Sequence, residues 1–116
     1  MRTRDMRIAA EVTSSDLDDR RFTLRVFKRR GRRVVQIGGE LDIATCNKAR
    51  RACLDGRGKD VVVDMADMTF MDCRGYGGLV AARQILQADG GSLTLNHQNG
   101  QPAEFLVMLA ILEPDG

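Results

Sequence analysis

Tryptophan is missing from this sequence, tyrosine and histidine occur once each, and proline occurs twice. A single histidine, His97, leaves no partner set for a zinc ion and no paired base for a nucleophile. It reads as a surface side chain in a loop. The three cysteines form no C-x-x-C pair and have no ligand-spaced histidines. That pattern fits neither a disulfide scaffold nor a zinc site, and implies reduced thiols in a cytoplasmic protein. No apolar run approaches the roughly 18 residues of a membrane span, so direct membrane insertion is not expected. The first seven residues, Met1-Arg2-Thr3-Arg4-Asp5-Met6-Arg7, lack the apolar stretch of a signal peptide. Internal repeats and low-complexity tracts are absent as well. With 116 residues the chain can build one core but not two.

What is present in excess is local positive charge. The net charge is only +2, yet Lys28-Arg29-Arg30-Gly31-Arg32-Arg33 places five cations in six residues. Such a run could serve as a phosphate or acidic-partner patch. It could equally be a solvated hairpin turn, since Gly31 lies between alternating apolar residues at 22–27 and 34–37. Exposed turns are ordinarily charged, so we take the turn reading and expect no nucleic-acid partner.

Residues 1–20 are polar and charged and read as an N-terminal arm, leaving 21–116 as the folded domain. Phe22, Leu24 and Val26 alternate with Thr23, Arg25 and Phe27, which predicts a strand with one buried face. A second strand follows the basic turn, with Gly38-Gly39 expected to release the chain from it. Asp42 is placed to cap a helix running from Ile43 to about Leu54. On that helix Ile43, Cys46, Ala49 and Cys53 form one apolar stripe, with Lys48, Arg50 and Arg51 on the wet side. Gly56 and Gly58 are expected to end it. Val61-Val62-Val63 is a continuous β-branched run, as in a strand covered on both faces. Leu79, Val80, Ala82 and Leu86 give a second helix its buried side, with Arg83 and Gln84 outside it, and Gly90-Gly91 stops it. Residues 92–95 form a short strand. Pro102 and Glu104 suit the start of a last, strongly apolar helix containing Phe105, Leu106, Met108, Leu109 and Leu112, which Pro114 closes. The order β-β-α-β-α-β-α predicts an α/β fold, a mixed sheet with helices packed against it.

The most informative segment is the loop Thr69-Phe70-Met71-Asp72-Cys73-Arg74-Gly75-Tyr76-Gly77-Gly78-Leu79. It joins the buried strand ending at Asp64 to the second helix, at a helix start where backbone N–H groups attract negative charge. The stretch Gly75-Tyr76-Gly77-Gly78 lacks the Lys and Ser/Thr of a phosphate-binding P-loop. Taken with Gly39-Glu40-Leu41-Asp42 and Gly90-Gly91, this loop resembles the pattern of STAS domains. Specifically, it resembles the small single-domain anti-sigma factor antagonists, over roughly 34–112. Members of that family read G-E-L-D, then a D-S-S-G-type loop opening a helix, then G-G before the next strand.

The resemblance implies a non-enzymatic protein that binds an anti-sigma factor of the switch-kinase type and frees a sigma factor. In that family the kinase phosphorylates the first serine of the loop, which adds close to two negative charges and blocks binding. Here the acceptor position falls on Cys73 and the second serine position on Arg74, while Asp72 and Gly75 keep the family residues. The usual off-switch is therefore expected to be absent. The implied contact rim consists of Asp42, Asp72, Cys73, Arg74, Gly75 and Tyr76. The alternative within the family is a small subunit of a lipid-transport ABC complex, bound to its ATPase, or a stress-signalling scaffold, neither of which requires a phosphoserine.

The remaining candidates are weighed residue by residue. Cys73, a thiol at a helix start beside a cation, could replace phosphorylation with redox control or simply keep the loop's shape. Cys46 and Cys53 are further redox candidates but read first as core residues. They lie seven positions apart on one helix, about 10 Å along its axis, too far to bridge each other. A thiol enzyme would need a resolving cysteine or a histidine partner that the pattern does not supply. Asp42, Asp64 and Asp72 share strand ends and helix starts that could suggest a carboxylate cluster, but capping explains Asp42 and Asp72 without a metal. No metal or other cofactor is expected. Thr69 lies ahead of the exposed part of the loop and is a poor substitute phosphoacceptor. Homo-oligomerisation is left open.

Overall fold

The computed structural model describes residues 22–55 and 60–112. The polar arm expected at 1–20, the glycines expected to end the first helix, and Pro114 lie outside these residues. Strand β1 (Phe22–Arg29) and strand β2 (Arg32–Leu41) form an antiparallel hairpin, joined by Arg30 and Gly31. Both turn residues have positive φ, 55° and 80°, the backbone that a tight two-residue hairpin turn requires. The alternating pattern of the sequence then fixes the faces. Leu24 pairs with Ile37 and Val26 with Val35 on the core side, while Arg25 pairs with Gln36 on the other.

The strand does not end at Gly38-Gly39, as the glycine pair had suggested. It continues to Leu41, because Gly39, at φ 83°, accommodates a bulge rather than an exit. That bulge lets one edge of β2 serve two partners in succession. Strand β3 (Asp60–Asp64) pairs parallel with residues 33–36, and a short strand β4 (Met68–Met71) pairs parallel with residues 39–41. Strand β5 (Ser92–Asn96) adds parallel to β3, giving the sheet order β1-β2-β3-β5 with β4 on β2. The order of elements matches the expected β-β-α-β-α-β-α, with β4 added before the second helix.

Helix α1 (Cys46–Leu54), helix α2 (Cys73–Ala88) and helix α3 (Gly100–Leu112) complete the fold. The core lies between one face of the sheet and α1 and α2, where Val35, Ile37, Val61 and Val63 meet Ala49, Cys53, Leu79 and Ala82. Burying a side chain such as Leu79 stabilises by about 1.5–3 kcal/mol. Among the described residues no helix packs on the opposite face: Val62, between buried Val61 and Val63, is only half-buried. The β-branched run is thus covered on one side, not two.

Helix α1 starts three residues later than the sequence suggested. Thr45, not Asp42, is its N-cap residue, and Ile43 is 60% exposed instead of joining the buried stripe. Asp42 closes a tight turn instead. Its Oδ1 accepts from the Ala44 N–H at 2.9 Å, and the Thr45 hydroxyl accepts from the Asp42 N–H and donates to the Glu40 carbonyl. The local bonds of Asp42 and Thr45 outcompete helix at 43–45. Helix α3 is as apolar as expected but poorly covered, with Val107, Met108 and Ile111 exposed. It is tied to the sheet at its start. The Gln101 side chain accepts from the Met71 N–H at 2.9 Å and donates to the Met71 carbonyl at 3.1 Å, closing the open edge of β4.

Candidate functional site

The pairing of Leu41 with Met71 ends β2 and β4 side by side, so Asp42 and Asp72 follow neighbouring strand ends. Asp72 caps α2 as anticipated. Its backbone is extended, its Oδ1 accepts from the Gly75 N–H at 2.9 Å, and its carbonyl accepts from the Tyr76 N–H at 2.9 Å. The loop of the sequence motif is thereby converted into a fixed helix start. Cys73 and Arg74 are its first two residues, and both side chains are exposed.

The three glycines that follow divide the work. Gly75 is buried with its α-carbon against the Leu41 carbonyl, where a β-carbon would collide with backbone. A β-carbon on Gly78 would lie 3.0 Å from the Cys46 carbonyl oxygen, so this glycine lets α2 approach the start of α1. Gly77 is exposed and faces open space. Gly75, expected on the contact rim, is therefore a packing residue, and Gly77 takes the open position. Tyr76 is half-buried and meets Phe105 edge-to-face, with ring centroids 6.2 Å apart. It ties α2 to α3 and presents only part of its surface.

The turn at 43–45 and the first turn of α2 share one end of the sheet, because Gly78 brings α2 against Cys46. Ile43 lies exposed in that turn, next to Asp42. Sequence reasoning missed it by assigning it to a buried stripe; the Asp and Thr flanking it were the available signal for a turn.

The remaining candidates separate from this rim. Cys53 is fully buried, and burial pushes its thiol up to about 12, against the opposing pull of Arg33. It is a neutral core side chain with no redox exposure. Cys46 is half-buried, and all three cysteines are free thiols. Asp64 belongs to the other face of the sheet. Its carboxylate accepts from the Ala66 N–H at 3.0 Å and from Gln36 Nε2 at 3.2 Å, and lies 3.0 Å from His97 Nδ1. Burial pushes its pKa up, but the bonds from Ala66, His97 and Gln36, with the charge of His97, hold it below the usual 3.8. His97 is exposed as expected, but it has a partner that its place in the sequence did not reveal.

Set beside known proteins, the chain matches the STAS domain model over residues 24–113. It belongs to the STAS domain family. Among solved structures it is similar to the anti-sigma factor antagonist SpoIIAA in its unphosphorylated form, at 21% identity and a TM-score of 0.63, covering 78% of this chain and 83% of that one. It is also similar to an anti-sigma factor antagonist from Mycobacterium paratuberculosis, at 21% identity and a TM-score of 0.64, covering 89% and 86%. Among curated protein sequences none matches. At these identities the likeness is one of fold. No helix among the described residues is long and apolar enough to cross a membrane.

Proposed function

We propose that this chain is a non-enzymatic regulatory binding protein, an anti-sigma factor antagonist acting in the cytoplasm. It binds an anti-sigma factor of the switch-kinase type and so releases a sigma factor. The observation that carries this reading is the position of Cys73, exposed as the first residue of α2 directly behind the Asp72 cap. Asp42, Ile43, Asp72, Cys73 and Arg74 form the contact rim, Gly77 leaves room beside it, and Gly75 and Tyr76 hold the helix in place.

A serine kinase transfers a phosphoryl group to a hydroxyl oxygen, and this position offers sulfur. The neighbouring guanidinium of Arg74 would attract incoming phosphate rather than repel it. The protein is therefore competent without a phosphorylation switch, and any redox control acts through Cys73, the exposed thiol among the described residues.

The test is incubation with the cognate anti-sigma kinase, together with ATP. A complex is expected, with no phosphate on the loop. Stoichiometric phosphate there would sink the claim of a missing switch. Co-purification with an ABC ATPase, and no anti-sigma complex, would place the protein among the transport-associated STAS subunits.

A further inference from the structure

The sheet face on which no helix packs among the described residues carries a second feature that shares no residue with the α2 rim. Strand register sets its rows. Phe27, Val34, Val62 and Thr94 lie side by side across β1, β2, β3 and β5, and one step further along come Arg25, Gln36, Asp64 and Asn96. Over these rows opens a hollow of about 300 Å³. Val34 and Val62, paired across β2 and β3, line its middle, and three hairpin residues, Arg29, Arg30 and Arg32, line one end. Asp64, Asn96 and His97 line the other.

Three properties separate this hollow from an ordinary charged turn. Arg29 is set in place, its guanidinium carbon 5.5 Å from the centre of the Phe27 ring. The lone carboxylate in the lining, Asp64, is already engaged by Gln36, Ala66 and His97, which lessens its opposition to an anion. Most telling is the backbone. Arg30 and His97 are the non-glycine residues with positive φ among those described, at 55° and 61°, and both line this hollow. The Arg30-Gly31 turn prefers asparagine or aspartate at its first position, since a long side chain gains nothing in left-handed backbone. A guanidinium held there at a conformational cost is what a ligand site, more than a solvated turn, would retain.

From these features we propose that this face binds a small organic phosphate. The phosphate would be gripped by Arg29, Arg30 and Arg32, which present forked donors suited to a dianion. Its apolar body would lie on Val34 and Val62, and a polar far end would reach Asn96 and His97. Four residues separate Arg32 from the Gln36 row, about 13 Å at strand spacing, so the hollow suits an elongated molecule better than a bare phosphate ion.

The test compares phenyl phosphate with inorganic phosphate by titration calorimetry on the full chain, alongside Arg30→Asn and Lys28→Gln. Each variant removes one positive charge from the same hairpin, but Lys28 pairs with Arg33 and does not line the hollow. Phenyl phosphate is expected to bind saturably and more tightly than inorganic phosphate. Arg30→Asn should weaken it by about tenfold while leaving the thermal midpoint unchanged or raised, because asparagine suits the turn. Lys28→Gln should leave binding within about twofold of wild type, since exposed charges act weakly through solvent. Three outcomes would overturn the proposal: no saturable phenyl phosphate binding, equal losses in the two variants, or binding confined to a single-stranded DNA oligonucleotide or to phosphatidylglycerol vesicles. Equal losses would mark diffuse charge, and the last outcome a polyanion surface.

Discussion

Gly75 packs its α-carbon on the backbone carbonyl of Leu41, and no side chain fits between them. Two residues further along α2, Gly77 faces open space. The two glycines should therefore respond in opposite directions to the same substitution. Gly75→Ala is expected to destabilise the fold by about 1–3 kcal/mol, because the strand end or the helix must shift. Gly77→Ala should stabilise it by about 0.5–1 kcal/mol through the helix preference of alanine. Denaturant unfolding of the two variants separates these effects.

Gln101 acts as a substitute strand, pairing with both backbone groups of Met71. Gln101→Ala leaves a part-buried N–H and carbonyl without those partners, at a cost of about 1–3 kcal/mol. Loss of the tie should also free the start of α3. Hydrogen exchange is expected to speed up at Met71 in this variant and remain unchanged in β5.

The thiols should differ sharply in reactivity. Cys73 is exposed and is expected to be labelled by an aromatic disulfide reagent in the native protein, whereas Cys53 should react only on unfolding. Burial raises the Cys53 pKa from 9.0 to about 12, so its folded state prefers the neutral thiol. That preference favours folding fully below pH 9 and is lost as pH climbs toward 12. Stability should fall across this alkaline range, and Cys53→Ala, less stable at neutral pH, should show a smaller decline.

Asp64 works at the opposite end of the pH scale. Its folded pKa is depressed below 3.8, so its contribution is present above the unfolded value and fades as pH falls through the folded one. Acid unfolding below about pH 4 should therefore be less steep in Asp64→Asn. His97→Asn, which tolerates the same left-handed backbone, should reproduce part of that change by removing one of the groups that lowers the pKa.

The sheet and helices were legible because their patterns are local. Alternation in β1, the Asp72 cap and the Leu79-Ala82-Leu86 stripe each report directly on a face or a helix start. What escaped depended on tertiary geometry. Thr45 and Asp42 form local bonds that displace the start of α1, and Gly39 bends β2 without ending it, so a glycine pair that looked like an exit became a bulge. β4 is only four residues long and is held by β2 on one edge and Gln101 on the other. The Asp64–His97 pair joins residues 33 positions apart, and only the parallel pairing of β3 with β5 brings them together. At the rim, Asp72, Cys73 and Arg74 were readable as a motif, whereas the separation of Gly75 from Gly77 needed the Leu41 backbone in place.

The most direct measurement is the affinity of a switch-kinase anti-sigma factor for the wild-type chain and for Cys73→Asp, with ATP or a non-hydrolysable analogue. Wild type is expected to bind equally well with either nucleotide, because Cys73 offers no hydroxyl to phosphorylate. Cys73→Asp, which places a negative charge at the family's phosphate position, should weaken binding by at least about tenfold. A wild-type complex that dissolves as ATP is consumed, or a Cys73→Asp variant that binds as tightly as wild type, would contradict the proposed role of this rim.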